Sequence, residues 1–326
     1  MRHERPADSK SLSAAPAHAT GTAPQGRWDL DRLVAELRVS REETHSIRRD
    51  GPMHRPPSRD KLAEVISGLT EALFPRHYGP YDFDGENIDY FVGHRLSIAL
   101  DILADQIHRA ALFVGDELQP GIHYADAVEL TRRFAARLPA VRGILIQDLR
   151  AAFVGDPAAK SFPEILIGYP GMTAVIHHRL AHILYDLEAR LIARLFAEIA
   201  HARTGIDIHP GASIGSGFFI DHGTGVVIGE TTIIGDNVRI YQAVTLGARH
   251  FPTDDEGRLL KGDARHPIVE DDVVIYAGAT ILGRITIGRG ATIGGNVWLT
   301  QDVEPNGIVT QASLRNKVGG SNLRGS

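Results

Sequence analysis

Residues 269–299 read VEDDVVIYAGATILGRITIGRGATIGGNVWL, and an aliphatic residue returns at every sixth position: Val269, Ile275, Ile281, Ile287, Ile293 and Leu299. Upstream the same step carries Ile208, Ile214 and Ile220, then, displaced by two residues, Ile228, Ile234, Ile240 and Leu246. Gly follows the anchor at Ile214, Ile228, Ile234, Leu246, Ile287 and Ile293, where a backbone must turn with no Cβ in the way. A period of six rich in β-branched residues is too short for helices or hairpins. It fits a solenoid of short parallel strands, three to a turn of about 18 residues, whose inward side chains stack into one core.

The repeat is interrupted twice. The first break adds two residues around Asp221-His222-Gly223-Thr224-Gly225; the second runs from about Ala248 to Ile268 and contains Arg265-His266-Pro267. Loops that leave a regular scaffold are where binding sites form. Asp207, His209, Asp221, His222, Arg265 and His266 all fall in or near these breaks. Asp207 and His222 are 15 residues apart, which sets them on neighbouring turns near one edge. An imidazole with a carboxylate behind it is the pairing that takes a proton from an attacking hydroxyl.

Before Gly205 the spacing is helical. Ile176, Leu180, Ile183, Leu187, Leu191, Leu195 and Ile199 recur in steps of three and four and predict one stripe on one long helix after Tyr169. Residues 88–114 and 123–153 predict two more long helices, and Gly51-Pro52, Pro56-Pro57 and Gly79-Pro80 punctuate the earlier part. His177, His178 and His182 lie on the last predicted helix; with no carboxylate at ligand spacing they read as a packed face, not a metal site. The predicted organisation is a disordered tail at 1–26, a helical domain at 27–204, a solenoid at 205–304 with a loop at 248–268, and a short tail at 305–326.

The bulk numbers set outer limits. The chain has 326 residues, 43% hydrophobic and 23% charged, as globular proteins do, and its length leads one to expect two domains. A formal charge of −5 gives no reason to expect nucleic acid or an anionic membrane as partner. With no cysteine, a disulfide, a thiolate–zinc site or a cysteine nucleophile is impossible. Residues 1–26 lack the apolar core of a secretory signal, and Glu4 and Asp8 argue against a transit peptide, so the expected location is the cytoplasm.

Several separated motifs, in order, resemble the serine O-acetyltransferase family of hexapeptide-repeat acyltransferases. They are Asp207-Ile208-His209-Pro210-Gly211-Ala212, Asp221-His222-Gly223-Thr224-Gly225 through Glu230, Val244-Thr245-Leu246-Gly247, Arg265-His266-Pro267, and Tyr276-Ala277-Gly278-Ala279 with Ile281-Leu282-Gly283. Gly155-Asp156-Pro157-Ala158 agrees in the helical half. The resemblance is strong over about 150–300 and weak over 27–150. It implies an α+β fold, an N-terminal α-helical domain followed by a left-handed parallel β-helix with an inserted loop.

The same resemblance implies acetyl transfer from acetyl-CoA to the L-serine hydroxyl. His222 would be the general base and Asp207 its orienting carboxylate. Asp156 and Asp221 would hold the serine ammonium and Arg265 its carboxylate, with His266 binding that carboxylate or assisting the base. Gly247, Ala277 and Gly295 match positions where small residues let the pantetheine arm of acetyl-CoA approach, although solenoid corners require small residues in any case. His209 reads as structural and Glu230 as a corner residue. No metal is expected. A homo-oligomer is, either a trimer or a dimer of trimers with sites between prisms. The chain ends Asn322-Leu323-Arg324-Gly325-Ser326 rather than in the Ile by which family members dock on the cysteine-forming sulfhydrylase, so the cysteine synthase complex is not expected. Cysteine, which competes at the family's serine pocket, does not need that tail.

Three rivals fit parts of the pattern. A hexapeptide acyltransferase with another hydroxy or amino acceptor would keep the fold and His222 and change only the pocket. A β-helix carbonic anhydrase would draw zinc to His209, His222 and His266. A non-catalytic scaffold would leave the Asp207 and His222 pairing without purpose.

Overall fold

The computed structural model describes residues 28–45, 54–79, 87–114, 123–250, 254, 256–259 and 262–313; the expected tail at 1–26 lies outside them. The chain divides into two compact units, Met1–Met53 and His54–Ser326. In the first, helix α1 (Leu30–Val39) runs on into a π-helical turn at Ser40–Thr44.

The second unit opens with α2 (Arg59–Leu73), α3 (Pro75–Tyr78), α4 (Asn87–Val114), α5 (Tyr124–Gly155), α6 (Phe162–Gly168), α7 (Pro170–Asp186) and α8 (Arg190–Thr204). Their apolar stripes, among them Leu62, Leu69, Leu103, Phe134, Leu145, Leu180 and Phe196, are fully buried in one core. Among the described residues no helix is long and apolar enough to cross a membrane.

The single long helix expected after Tyr169 is a pair. The chain reverses at Leu187–Ala189, where Glu188 takes φ 64 and the Ala189 N–H bonds the Leu184 carbonyl at 2.9 Å. A left-handed residue other than Gly costs about 1–2 kcal/mol, and packing of α8 along α7 offsets it. Nothing in Leu184-Tyr185-Asp186-Leu187-Glu188-Ala189 carries the Gly or Pro that announces a stop.

From Asp207 the chain coils into a triangular prism of parallel strands. Face one holds β1 (Asp207–Ile208), β4 (Val227–Ile228), β7 (Thr245–Gly247), β10 (Thr280–Leu282) and β13 (Trp298–Leu299). Face two holds β2 (Ser213–Ile214), β5 (Ile233–Ile234), β8 (Ile268–Val269) and β11 (Thr286–Ile287). Face three holds β3 (Phe219–Ile220), β6 (Arg239–Ile240), β9 (Val274–Ile275), β12 (Thr292–Ile293) and β14 (Ile308–Val309). The register stacks anchor on anchor, Ile208 on Ile228 on Leu246 on Ile281 on Leu299 down face one.

A second inward position, two residues before each anchor, completes the core with Ile206, Ala212, Phe218, Val226, Val238, Val244, Val273, Ala279, Ala291 and Val297. The coil also continues past Glu304. Val303 bridges to Ile287 after a step of four, and β14 joins β12 six residues later, so the last strand lies in what the hexad count gave to the tail.

A buried ion pair fastens the helices to the prism. Arg179 on α7 grips Asp148 on α5 at 3.1 Å through Nε and Nη2, and its guanidinium also donates to the carbonyls of Ile214 and Gly215. The Phe218 N–H donates to Asp148 Oδ1 at 2.9 Å. Asp148→Ala would leave the guanidinium charge buried without its carboxylate, so a loss of about 3–5 kcal/mol is expected in denaturant unfolding; a loss under about 1 kcal/mol would contradict the anchoring role.

Candidate active site

The first group of polar side chains lies at the corner between faces three and one. Helix α7 starts there, and Gly171 sits so close to the Ile220 carbonyl that a Cβ would collide with it. That approach brings Tyr169, the residue before α7, against Asp156, the residue that ends α5. The Tyr169 hydroxyl donates to Asp156 Oδ2 at 2.5 Å, and the Ala158 N–H to Oδ1 at 2.8 Å. The Tyr169 hydrogen bond, then the Ala158 one, hold the Asp156 carboxyl below its ordinary range, with smaller attractions from His222 and Arg239. The same bond to Asp156 pushes the Tyr169 phenol up to about 12.

His222 stands on the two-residue insertion with a left-handed backbone, φ 57. Its side chain is 71% exposed, and Nε2 lies 3.9 Å from Asp221 Oδ1. Asp207 occupies the turn stacked against this corner, where the Gly225 N–H bonds the Gly205 carbonyl and the Asp207 N–H bonds the Val226 carbonyl. Among the described residues no hydrogen bond joins Asp207 to His222. Ala277 and Gly295 lie further down the same corner, with the Asn296 N–H on the Ala277 carbonyl at 2.9 Å.

The second group lies across face one, at the corner between faces one and two. Arg265 Nη2 donates to Glu230 Oε2 at 2.7 Å, and the Tyr185 hydroxyl donates to Glu230 Oε1 at 3.0 Å. Burial pushes the Glu230 carboxyl up, but these two hydrogen bonds outweigh it and leave it below its ordinary value. Thr231 organises the loop: its Oγ1 accepts from the Arg265 and His266 N–H groups, and its own N–H donates to His266 Nδ1 at 3.1 Å. Nδ1 is therefore an acceptor and the ring proton sits on Nε2. Burial, and secondly the neighbouring Arg265 charge, lower the His266 pKa to about 4, so the ring is neutral at pH 7.

Gly229 supplies the room for that ring. A Cβ there would overlap Cδ2 and Nε2 of His266. Gly229→Ala is expected to displace the imidazole; a crystal structure of the variant with His266 in place would contradict this.

His209 shares the second corner. Its Nδ1 accepts from the Gly211 N–H at 3.0 Å and its ring meets Tyr185 edge-on at 5.8 Å, which fits a structural part. Gly247 ends β7 at this side of face one, where a Cβ would come within 2.9 Å of Leu282 Cδ2. The chain thus brings together Asp156, Asp221, His222, Ala277 and Gly295 at one corner and Gly247, Arg265 and His266 at another. His222 is on a different edge from His209 and His266, and among the described residues no group of three metal-ligating side chains converges.

Two residues beside the expected constellation had no signal in the motifs. Tyr169 is aimed by the start of α7, and Thr231 acts through a hydroxyl that only the folded corner brings under the Arg265–His266 backbone. Glu230, read as a corner residue, is the anionic partner of Arg265.

Residues 266–301 match the family described as Bacterial transferase hexapeptide (six repeats). The chain is 52% identical over 295 residues to the plasmid serine acetyltransferase of Synechococcus elongatus, covering 88% of this chain and 92% of that one. It is 49% identical over 172 residues to a serine acetyltransferase of Mycobacterium tuberculosis, 53% of this chain and 69% of that one. The crystal structure of Entamoeba histolytica serine acetyltransferase 1 in complex with L-cysteine aligns with a TM-score of 0.66 at 36% identity, over 86% of this chain and 96% of that one. The prism has the left-handed coil of this hexapeptide fold.

Proposed function

The chain belongs to the serine acetyltransferase family, and from that premise we propose how its own residues move acetyl from acetyl-CoA to the hydroxyl of L-serine. Asp156 and Asp221 take the serine ammonium. The Arg265 guanidinium and the Nε2–H of His266 take the serine carboxylate, a planar anion suited to a forked donor. Because His266 presents a proton and not a lone pair, it binds and orients; it is not the base.

His222 fills that role. Its ring accepts the hydroxyl proton as the serine oxygen attacks the thioester carbonyl carbon, and Asp207, on the adjoining turn, turns toward the imidazolium that forms. When the tetrahedral intermediate collapses, the C–S bond breaks and the sulfur recovers the proton from His222. O-acetylserine and CoA leave. The small residues Ala277 and Gly295 keep their corner free of side chains that would obstruct the pantetheine arm, and Gly247 does so at the far side of face one.

One observation supports a shared site: His222 and Arg265 occupy opposite edges of face one, on corners that a single prism cannot fold together. Two copies placed edge to edge supply one corner each, and three close a ring with every site between neighbours. A trimer, or two trimers joined through the helices, is the assembly that follows.

The test is release of CoA from acetyl-CoA, read with a thiol reagent, which meets no cysteine in the protein. L-Serine is compared with homoserine, threonine, D-serine and glucosamine. The expected result is a rate dependent on L-serine and far smaller with the others. A higher kcat/KM for another acceptor would keep the fold and the base but reassign the pocket, and release with none would contradict the reading.

A further inference from the structure

We infer that Tyr169 is a positioning residue for acceptor-amine recognition, its hydroxyl holding the Asp156 carboxylate aimed at the place where the serine ammonium binds. The inference rests on the role proposed for Asp156 above.

Asp156 is poorly secured by its own surroundings. It is the first non-helical residue after a 32-residue helix, half-buried, with extended backbone at φ −109 and ψ 110. A carboxylate at such a helix end is free to change rotamer. Two donors restrain it here, one on each oxygen: the Ala158 N–H, two residues along the chain, and the Tyr169 hydroxyl, thirteen residues away between α6 and α7. Only the second ties Asp156 to the prism corner, because the start of α7 is pressed against Ile220 at Gly171. Each oxygen keeps a further lone pair for an incoming ammonium.

The chemistry favours a phenol over the alternatives. Glu164 and Asp221 also act on the phenol, and His222 and Arg239 on Asp156, so three carboxylates outnumber the one guanidinium around this corner. Two anions in one site disfavour each other's ionisation. A Lys or Arg donor would relieve that repulsion and cancel the negative charge that attracts the amine. A neutral hydroxyl stabilises the carboxylate and leaves its charge in place. The phenol keeps its proton at any working pH, since its bond to Asp156 pushes it up to about 12.

Tyr169→Phe removes the hydroxyl and keeps the ring. The expected result is a KM for L-serine raised about tenfold, the loss of one hydrogen bond to a charged group, with the KM for acetyl-CoA within twofold. kcat should be little changed, because the lost contact orients the amine-binding carboxylate and takes no part in the proton transfer to His222. A purely structural loss would raise both KM values and lower kcat and the melting temperature; this outcome overturns the inference, as does an unchanged serine KM. An unchanged serine KM in Asp156→Asn would instead sink the role of Asp156, so the two failures are told apart by that variant.

Discussion

Replacing His222 by Ala lowers kcat for serine-dependent CoA release by about 10²–10⁴-fold, the range a positioned general base supplies, and leaves both KM values within a few-fold. The side chain is 71% exposed and supports no packing, so the variant is expected to fold and melt like the parent. A second pair of substitutions separates the two carboxylates near the ring. Asp207→Asn should act mainly on kcat, through the orientation and charge of the imidazolium. Asp221→Asn should act mainly on the serine KM, through the ammonium. If Asp221→Asn alone reduces kcat and Asp207→Asn is silent, the 3.9 Å contact between His222 and Asp221 is the working pair and the assignments exchange.

Arg265→Ala raises the KM for L-serine by about ten- to a hundredfold, with the KM for acetyl-CoA little changed. A hydrogen bond to a charged group contributes about 1.5–3 kcal/mol, which corresponds to that range. Glu230 makes the loss larger. Arg265 now holds Glu230 in the ion pair at 2.7 Å, and without the guanidinium a partly buried carboxylate faces the carboxylate of the substrate. Arg265→Lys should recover only part of the affinity, because an ammonium restores charge without the fork that meets both Glu230 and a planar anion. A rise of equal size in both KM values would place Arg265 outside the serine pocket.

The prism was legible because its cause is local and periodic. A residue every sixth position must point inward, and the register of the thirteen anchors could be counted from Ile208 to Leu299. The helix boundaries were less so. The reversal at Glu188 is imposed by α8 packing on α7, a tertiary contact for which the local sequence carries no turn residue. The last strand, Ile308–Val309, escaped the count because the step shortens from six to four at Val303.

The candidate site divides in the same way. His222 and Arg265 stand in breaks of the repeat, so their positions were visible in the sequence. Their separation onto two corners follows from the face each neighbouring strand joins, which a linear count does not display. Tyr169 holds Asp156, and Thr231 the Arg265–His266 backbone, through hydroxyls brought in from other elements, and no spacing rule announces such contacts.

The central claim is that one site takes His222 from one copy and Arg265 from the next. It is tested most directly by co-expressing the His222→Ala and Arg265→Ala chains under different affinity tags, purifying the oligomer that carries both, and assaying CoA release at serine well below saturation. Each variant alone should be nearly inactive under these conditions. In a trimer that carries both chains one site of the three has both native corners, and in two joined trimers random association gives about a quarter of the sites, so about a quarter to a third of the parental rate should return. A mixed oligomer no more active than the mean of the two variants would contradict the shared site and return both residues to a single chain.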